Sequence, residues 1–212
     1  SKSKKNVVDP IDIIEQYGAD TARWFMMSDS PPERDVEWTT AGVEGAWRHI
    51  QKVWKLTNDI VFERDHETVR KSDKTDTAIS ALEVAKNQAI KGVTEGIENF
   101  AFNKAVAKLY EFTNFLSRSS APREFKLNSL RTMAILMQPM TPHLSEEIWS
   151  RIGNSDVIIK QEWPSWNEKI LIEDDLILPI QVNGKKKAEL SVKRSLSKTE
   201  IEVLVLKNKK IQ

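Results

Sequence analysis

At 212 residues, with 40% hydrophobic and 30% charged side chains, the chain can bury one good core and a smaller second one. It contains no run of about 18 apolar residues and its polar, basic start has no apolar signal-like stretch, so neither a membrane span nor secretion is supported and a cytoplasmic location is expected. The absence of cysteine excludes disulfides, thiolate nucleophiles and sulfur-ligated zinc, while the net charge of +1 hides an asymmetry, since residues 183–212 carry nine Lys/Arg against three Glu.

In chain order, Ser1-Lys2-Ser3-Lys4-Lys5-Asn6 is basic and polar, and Asp9-Pro10 closes it as a turn because the residue before proline is pushed out of the helical region. A short helix follows, with Ile13, Ile14 and Tyr17 as its apolar face and Gly18 as its C-cap, then a second carrying Ala22, Trp24, Phe25 and Met26 from Asp20. Ser30-Pro31-Pro32 marks a boundary. From Ala41 to Glu63 the residues Val43, Trp47, Ile50, Trp54 and Val61, widened by Ala46 and Val53, recur at helical spacing and predict a long amphipathic helix. A charged loop over 64–76 leads to a helix through Ala78, Leu82, Ala85, Ala89 and Val93 and another through Phe102, Val106, Leu109, Phe112 and Leu116. A fourth runs from about Leu127 to Pro139, and Thr141-Pro142 restarts a helix as N-cap and first position, with Glu146 and Glu147 placed in its first turn. Four or five antiparallel helices around one core make a mainly α fold, an antiparallel bundle.

After Gly153 the pattern changes. Val157 to Lys160 reads as a short strand, and Leu176, Leu178, Ile180 and Val182 alternate with period two, as do Ala188, Leu190 and Val192. Asn183-Gly184 signals a hairpin, but a two-residue turn there would set Ile180 beside Lys187. A three-residue loop of Val182, Asn183 and Gly184 aligns Leu178 with Ala188 and Leu176 with Leu190, with Gly184 left-handed in a bulge. A last helix starts at Ser197, whose Ser197-Lys198-Thr199-Glu200 fits a capping box. The bundle is thus followed by a small α+β segment. The expected limits are 1–35 for a leading segment, 36–153 for the bundle, 154–175 for a connector and 176–212 for the α+β segment.

No phosphate loop, dinucleotide fingerprint, nucleophile elbow or zinc-protease pattern is present, and His49, His66 and His143 lie far apart, so each reads as structural or solvated and no metal ligand is assigned. The seven tryptophans invite base stacking, yet Trp47 and Trp54 fall on an apolar stripe and read as core. Opposite that stripe Arg48, Lys52 and Lys55 stand at i, i+4 and i+7, a cationic row about 10 Å long. Such a row can follow a phosphate backbone, and it can also be ordinary surface charge. The basic tail, with Lys185, Lys186 and Lys187 near its hairpin, carries the same two readings.

Ser1-Lys2-Ser3 is weak alone, but Ser1 through Pro10 followed by Tyr17-Gly18-Ala19-Asp20-Thr21-Ala22-Arg23 resembles the KMSKS loop and downstream helices of class I aminoacyl-tRNA synthetases. Glu37-Trp38, Gly42-Val43-Glu44-Gly45-Ala46, Val53-Trp54-Lys55-Leu56, Pro139-Met140-Thr141-Pro142-His143-Leu144-Ser145-Glu146-Glu147 and Gln181-Val182-Asn183-Gly184-Lys185 are similar to the leucyl-tRNA synthetase family, in order along nearly the whole chain. The resemblance implies a C-terminal part of such an enzyme that begins inside the loop, lacks the upstream catalytic fold and editing domain, is inactive alone and is cut within its C-terminal domain. It implies that Lys2 matches the loop's second lysine and is catalytic, with Ser1, Lys2 and Ser3 the remnant of an ATP-binding loop. It also implies ATP and Mg2+ as cofactors, with no magnesium ligand visible, and leucine and its tRNA as partners of a monomer. The bundle would be the anticodon-binding domain, with tRNA contacts at Arg48, Lys52, Lys55 and Lys185 to Lys187. A free-standing, non-enzymatic RNA-binding module, a protein-interaction scaffold, or a valyl, isoleucyl or methionyl relative remain the alternatives.

Overall fold

The structure, a computed structural model, describes residues 9–29, 32–34, 36, 38–63, 73–171, 175–182, 185–193 and 198–206. The described chain begins at Asp9, whose carboxylate accepts the Ile11 N–H at 2.9 Å; Pro10 takes the first helical position of α1 (Pro10–Tyr17) and Gly18, at φ 86°, donates its N–H to the Ile14 carbonyl. Beyond it come α2 (Ala19–Asp29), α3 (Thr40–Val61), α4 (Asp73–Glu98), α5 (Phe102–Arg118), α6 (Arg123–Met137) and α7 (Pro142–Arg151). These helices share one core, in which Trp24 of α2, Val53 of α3, Leu82 of α4, Leu109 of α5, Met133 of α6 and Ile148 of α7 are all fully enclosed. The expected antiparallel bundle is therefore present, and α1 and α2 belong to the same compact unit, Ser1–Asn167.

Close approach of α4 and α5 depends on glycine. A Cβ at Gly96 would lie 2.9 Å from the backbone nitrogen of Ala105, so any side chain there would force the hairpin open. The end of α3 is closed from α6: Arg123 donates from Nε to the Ile60 carbonyl at 3.1 Å and from Nη2 to the Val61 carbonyl at 2.8 Å, placing a cation on helix-terminal carbonyls.

Three local expectations are corrected. On α3 the buried residues are Val43, Ala46, His49, Val53, Leu56, Thr57 and Ile60, so the expected Val43, Ala46 and Val53 are core but the packed arc is rotated toward His49 and Leu56; Ile50 and Trp54 are half-buried against the core and Trp47 is 40% exposed, its ring edge-on to Tyr17 at 6.4 Å. Residues 157–160 form no strand; Ile158–Lys160 is a 3-10 turn, its Ile158 buried and its Ile158 N–H bound to both carboxylate oxygens of Glu146 at 3.2 and 3.1 Å. Glu146 thus serves that turn, and neither it nor Glu147 stands in the first turn of α7.

The second compact unit, Glu168–Gln212, holds α8 (Glu168–Leu171), the strands β1 (Asp175–Val182) and β2 (Lys185–Lys193), and α9 (Lys198–Leu206). The strands pair antiparallel with Val182 opposite Lys185 and Gln181 opposite Lys186, then shift register so that Ile180 faces Ala188, Leu178 faces Leu190 and Leu176 faces Val192. The expected loop of Val182, Asn183 and Gly184 is corrected, because Val182 is paired, and with it the expected alignment of Leu178 with Ala188 and Leu176 with Leu190, which is displaced by two residues. Parity between the two alternating runs is restored inside the ladder, by one extra residue in β2 between Lys186 and Ala188. Asn183, Gly184 and the capping serine Ser197 lie outside the described residues.

Candidate nucleic-acid interface

A helix packed along one arc leaves the rest of its circumference to solvent, and on α3 that remainder carries the cations. Arg48 sits 3.8 Å from Glu44, one turn back, with their side chains 66% and 47% exposed. Lys55 pairs with Asp59 at 2.7 Å, with 76% and 59% exposure. Pairs this exposed hold their partners weakly, by roughly 0–1 kcal/mol, so both cations can exchange partners. Lys52 points toward α5, where its Nζ donates to Asn114 Oδ1 at 2.5 Å. A cleft of about 280 Å³ opens there, with Lys52, Lys55, Ser117 and Ser119 on its walls. The structure therefore brings Arg48, Lys52 and Lys55 together on one accessible side of α3.

Under Lys52 lies a buried ring cluster. His49, 4% exposed, stacks on Trp24 with centroids 4.8 Å apart and an interplanar angle of 20°, and its centroid is 3.9 Å from that of Tyr110. Trp24 Nε1 donates to the Tyr110 hydroxyl at 3.1 Å, while His49 Nε2 has no partner. Burial first, and the Lys52 charge second, push the imidazole down from 6.5 to about 3, so His49 is neutral and structural. It adds no charge to the surface above it.

At the other end of the same helix, Arg151 of α7 lies across α3. Its Cζ is 5.5 Å from the Trp54 ring centroid and 5.4 Å from that of Phe62, and its Nε and Nη2 both donate to Asn58 Oδ1, at 3.1 and 3.0 Å. The junction between α2 and α7 is held by two residues from one stretch. Asp20 accepts the Leu144 N–H at 2.6 Å and the His143 N–H at 3.4 Å, and its Oδ1 is 3.0 Å from His143 Nδ1. Arg23 donates to the carbonyls of Met140 at 3.0 Å and Pro139 at 2.6 Å. Sequence reasoning gave Asp20, Arg23, Asn58 and Arg151 no contact with another helix. Their partners lie more than 90 residues away, and no local spacing reports such a contact.

Ser1, Lys2 and Ser3 lie outside the described residues. Lys185, Lys186 and Lys187 open β2 beside the hairpin turn, in the second compact unit. Among the described residues no three His, Asp or Glu side chains converge as a metal would require, and no helix is long and apolar enough to cross a membrane.

Comparison with known proteins places this geometry. The sequence model of the family described as the anticodon-binding domain of tRNA ligase matches residues 81–203, and that of the class I tRNA synthetases (I, L, M and V) matches residues 1–39. A protein named leucine–tRNA ligase from Cereibacter sphaeroides (strain ATCC 17029 / ATH 2.4.9) is 51% identical over 212 residues, 100% of this chain and 24% of that protein. The leucine–tRNA ligase of Dinoroseobacter shibae is 53% identical over 206 residues, 97% of this chain and 23% of that protein. The chain thus spans 24% or less of the length of these relatives. In the crystal structure of the ternary complex of Agrobacterium radiobacter K84 agnB2 LeuRS, tRNA and LeuAMS, a chain superposes with a TM-score of 0.84 at 26% identity, over 100% of this chain and 28% of that one.

Proposed function

The chain belongs to the family of the anticodon-binding domain of tRNA ligases, and from that membership we propose that it works within a leucine–tRNA ligase, docking the tRNA for leucine and contributing the end of an ATP-handling loop. The observation that carries this reading is the similarity to leucine–tRNA ligases from the first residue to the last, at 51% identity. It favours the leucyl enzyme over its valyl, isoleucyl and methionyl relatives, and a synthetase over a free-standing RNA-binding module. Within this reading residues 1–35 close the catalytic part, 36–153 are the tRNA-binding bundle, 154–175 connect, and 176–212 open a C-terminal domain. The enzyme is a cytoplasmic monomer.

Arg48 and Lys52, with Lys55 beside them, contact tRNA phosphates, and Lys185, Lys186 and Lys187 make a second basic contact. Such contacts position the RNA without reading its bases. Lys2, flanked by Ser1 and Ser3, acts on ATP: as the leucine carboxylate attacks the α-phosphorus, negative charge builds on the departing pyrophosphate, and an ammonium beside it lowers the barrier. Among the described residues no three His, Asp or Glu side chains converge as a ligand set for magnesium. Lys2→Ala in the full-length enzyme is expected to slow leucine-dependent pyrophosphate exchange about 100-fold, the scale of one lost transition-state contact. Its tRNA affinity should stay unchanged, and exchange at the wild-type rate would remove Lys2 from the reaction.

A further inference from the structure

We infer that Arg151 is a pre-organised phosphate-binding residue, held by Trp54, Asn58 and Phe62 so that it extends the cationic face of α3 by one cation from α7 and takes a phosphodiester of the docked RNA. The inference rests on the reading of α3 as a tRNA-docking face.

Three features of the site point to a ligand. The guanidinium is fixed before anything binds, because Asn58 Oδ1 accepts from both Nε and Nη2 while the rings of Trp54 and Phe62 lie 5.5 and 5.4 Å from Cζ. Fixing the side chain in advance removes the entropy that a free arginine gives up on binding. Second, its partner is neutral. Arg48 and Lys55 each stand beside a carboxylate, whereas Arg151 is held by a neutral amide oxygen. Asn58 takes one N–H of Nε and one of Nη2, and a guanidinium carries a second N–H pair on Nη1 and Nη2, a fork that fits two oxygens of one phosphate. Third, Phe62 is 68% exposed just past the end of α3, where core packing gives no reason for a large apolar ring. Its described ring contact is the guanidinium.

The position joins the site to the row. Lys55, Asn58 and Phe62 follow one another at i, i+3 and i+7, so the perch of Arg151 continues the same strip of helix surface for about 10 Å beyond Lys55. The competing role for Arg151 is a clamp between α3 and α7, and this role predicts different measurements.

The test uses the full-length leucine–tRNA ligase and follows tRNA affinity against salt, together with thermal unfolding, in Arg151→Ala, Arg151→Lys, Phe62→Ala and the pair Arg48→Ala/Lys52→Ala. Arg151→Ala is expected to weaken tRNA binding about fivefold to tenfold and to lower the slope of log K against log salt by about one, as loss of one phosphate contact requires. Arg151→Lys should restore the slope but not the affinity, since lysine keeps the charge and loses the fork. Phe62→Ala removes an exposed ring, leaves the fold intact and should weaken binding about twofold to threefold at an unchanged slope. Wild-type affinity and slope in both Arg151→Ala and Phe62→Ala would overturn the inference and leave Arg151 a clamp, whatever happens to the melting temperature. If the Arg48/Lys52 pair weakens binding in that case, only the Arg151 site falls. If the pair is silent too, the docking face falls with it.

Discussion

Burial of His49 between Trp24 and Tyr110 links a single residue to the acid stability of the whole bundle. Its pKa falls from 6.5 to about 3 in the folded protein, so between those values the unfolded chain binds a proton that the folded chain refuses. Stability therefore rises with pH across that window and is lost as pH falls from about 6.5 toward 3. His49→Phe keeps a ring on Trp24 and cannot be protonated. It should flatten the acid limb of the stability curve, measured as urea unfolding at pH 7 and pH 4.5, and an equally steep limb in the variant would assign the acid loss to other groups. The same stretch shows why periodicity misplaced the core of α3. Large aromatic residues at Trp47 and Trp54 dominate a hydrophobic count, but the packed arc is made partly of small and polar ones, Ala46, His49 and Thr57. Thr57 enters the core because its hydroxyl is satisfied within the helix, on the Val53 carbonyl at 3.0 Å. Composition cannot announce a threonine that solves its polarity this way.

At the scale of elements, helix limits were legible where the signal is local. Asp9-Pro10, Gly18 and Thr141-Pro142 each mark an end that the structure keeps. What satisfies an end was not always local. Thr141 turns its hydroxyl to the Met137 carbonyl, and the first N–H groups of α7 are taken by Asp20, 8% exposed, from α2. Asp20→Ala would leave those donors without an acceptor and should cost about 1–3 kcal/mol in denaturant unfolding. A loss below about 0.5 kcal/mol would show that α7 does not need this cap. The hairpin teaches a related point: alternation required the apolar residues of the two strands to face each other, and they do, but alternation cannot say where the extra residue sits. Val182 pairs with Lys185, and the strand absorbs the extra residue between Lys186 and Ala188.

For the whole molecule, family and fold class were readable because several motifs occur in order along the chain, and their joint spacing carries more than any one of them. Two of those segments, Tyr17 to Arg23 and Pro139 to Glu147, prove to be opposite sides of one junction, through Asp20 and Arg23. The proposed RNA-docking surface was only half legible. Helical spacing found Arg48, Lys52 and Lys55, whereas Arg151 and Asn114 arrive from other helices and only the fold brings them to α3. The central claim is that packing and RNA binding lie on separate sides of α3. It is tested most directly by measuring tRNA affinity and thermal unfolding on Arg48→Ala/Lys52→Ala and on Val53→Ala, whose side chain is fully buried. The cation pair should weaken tRNA binding while moving stability by about 0.5 kcal/mol or less, and by the same factor for tRNAs altered in the anticodon. Val53→Ala should lose about 1–3 kcal/mol of stability with unchanged affinity in the folded fraction. A cation pair that unfolds the bundle while the folded fraction binds tRNA as before would contradict the claim.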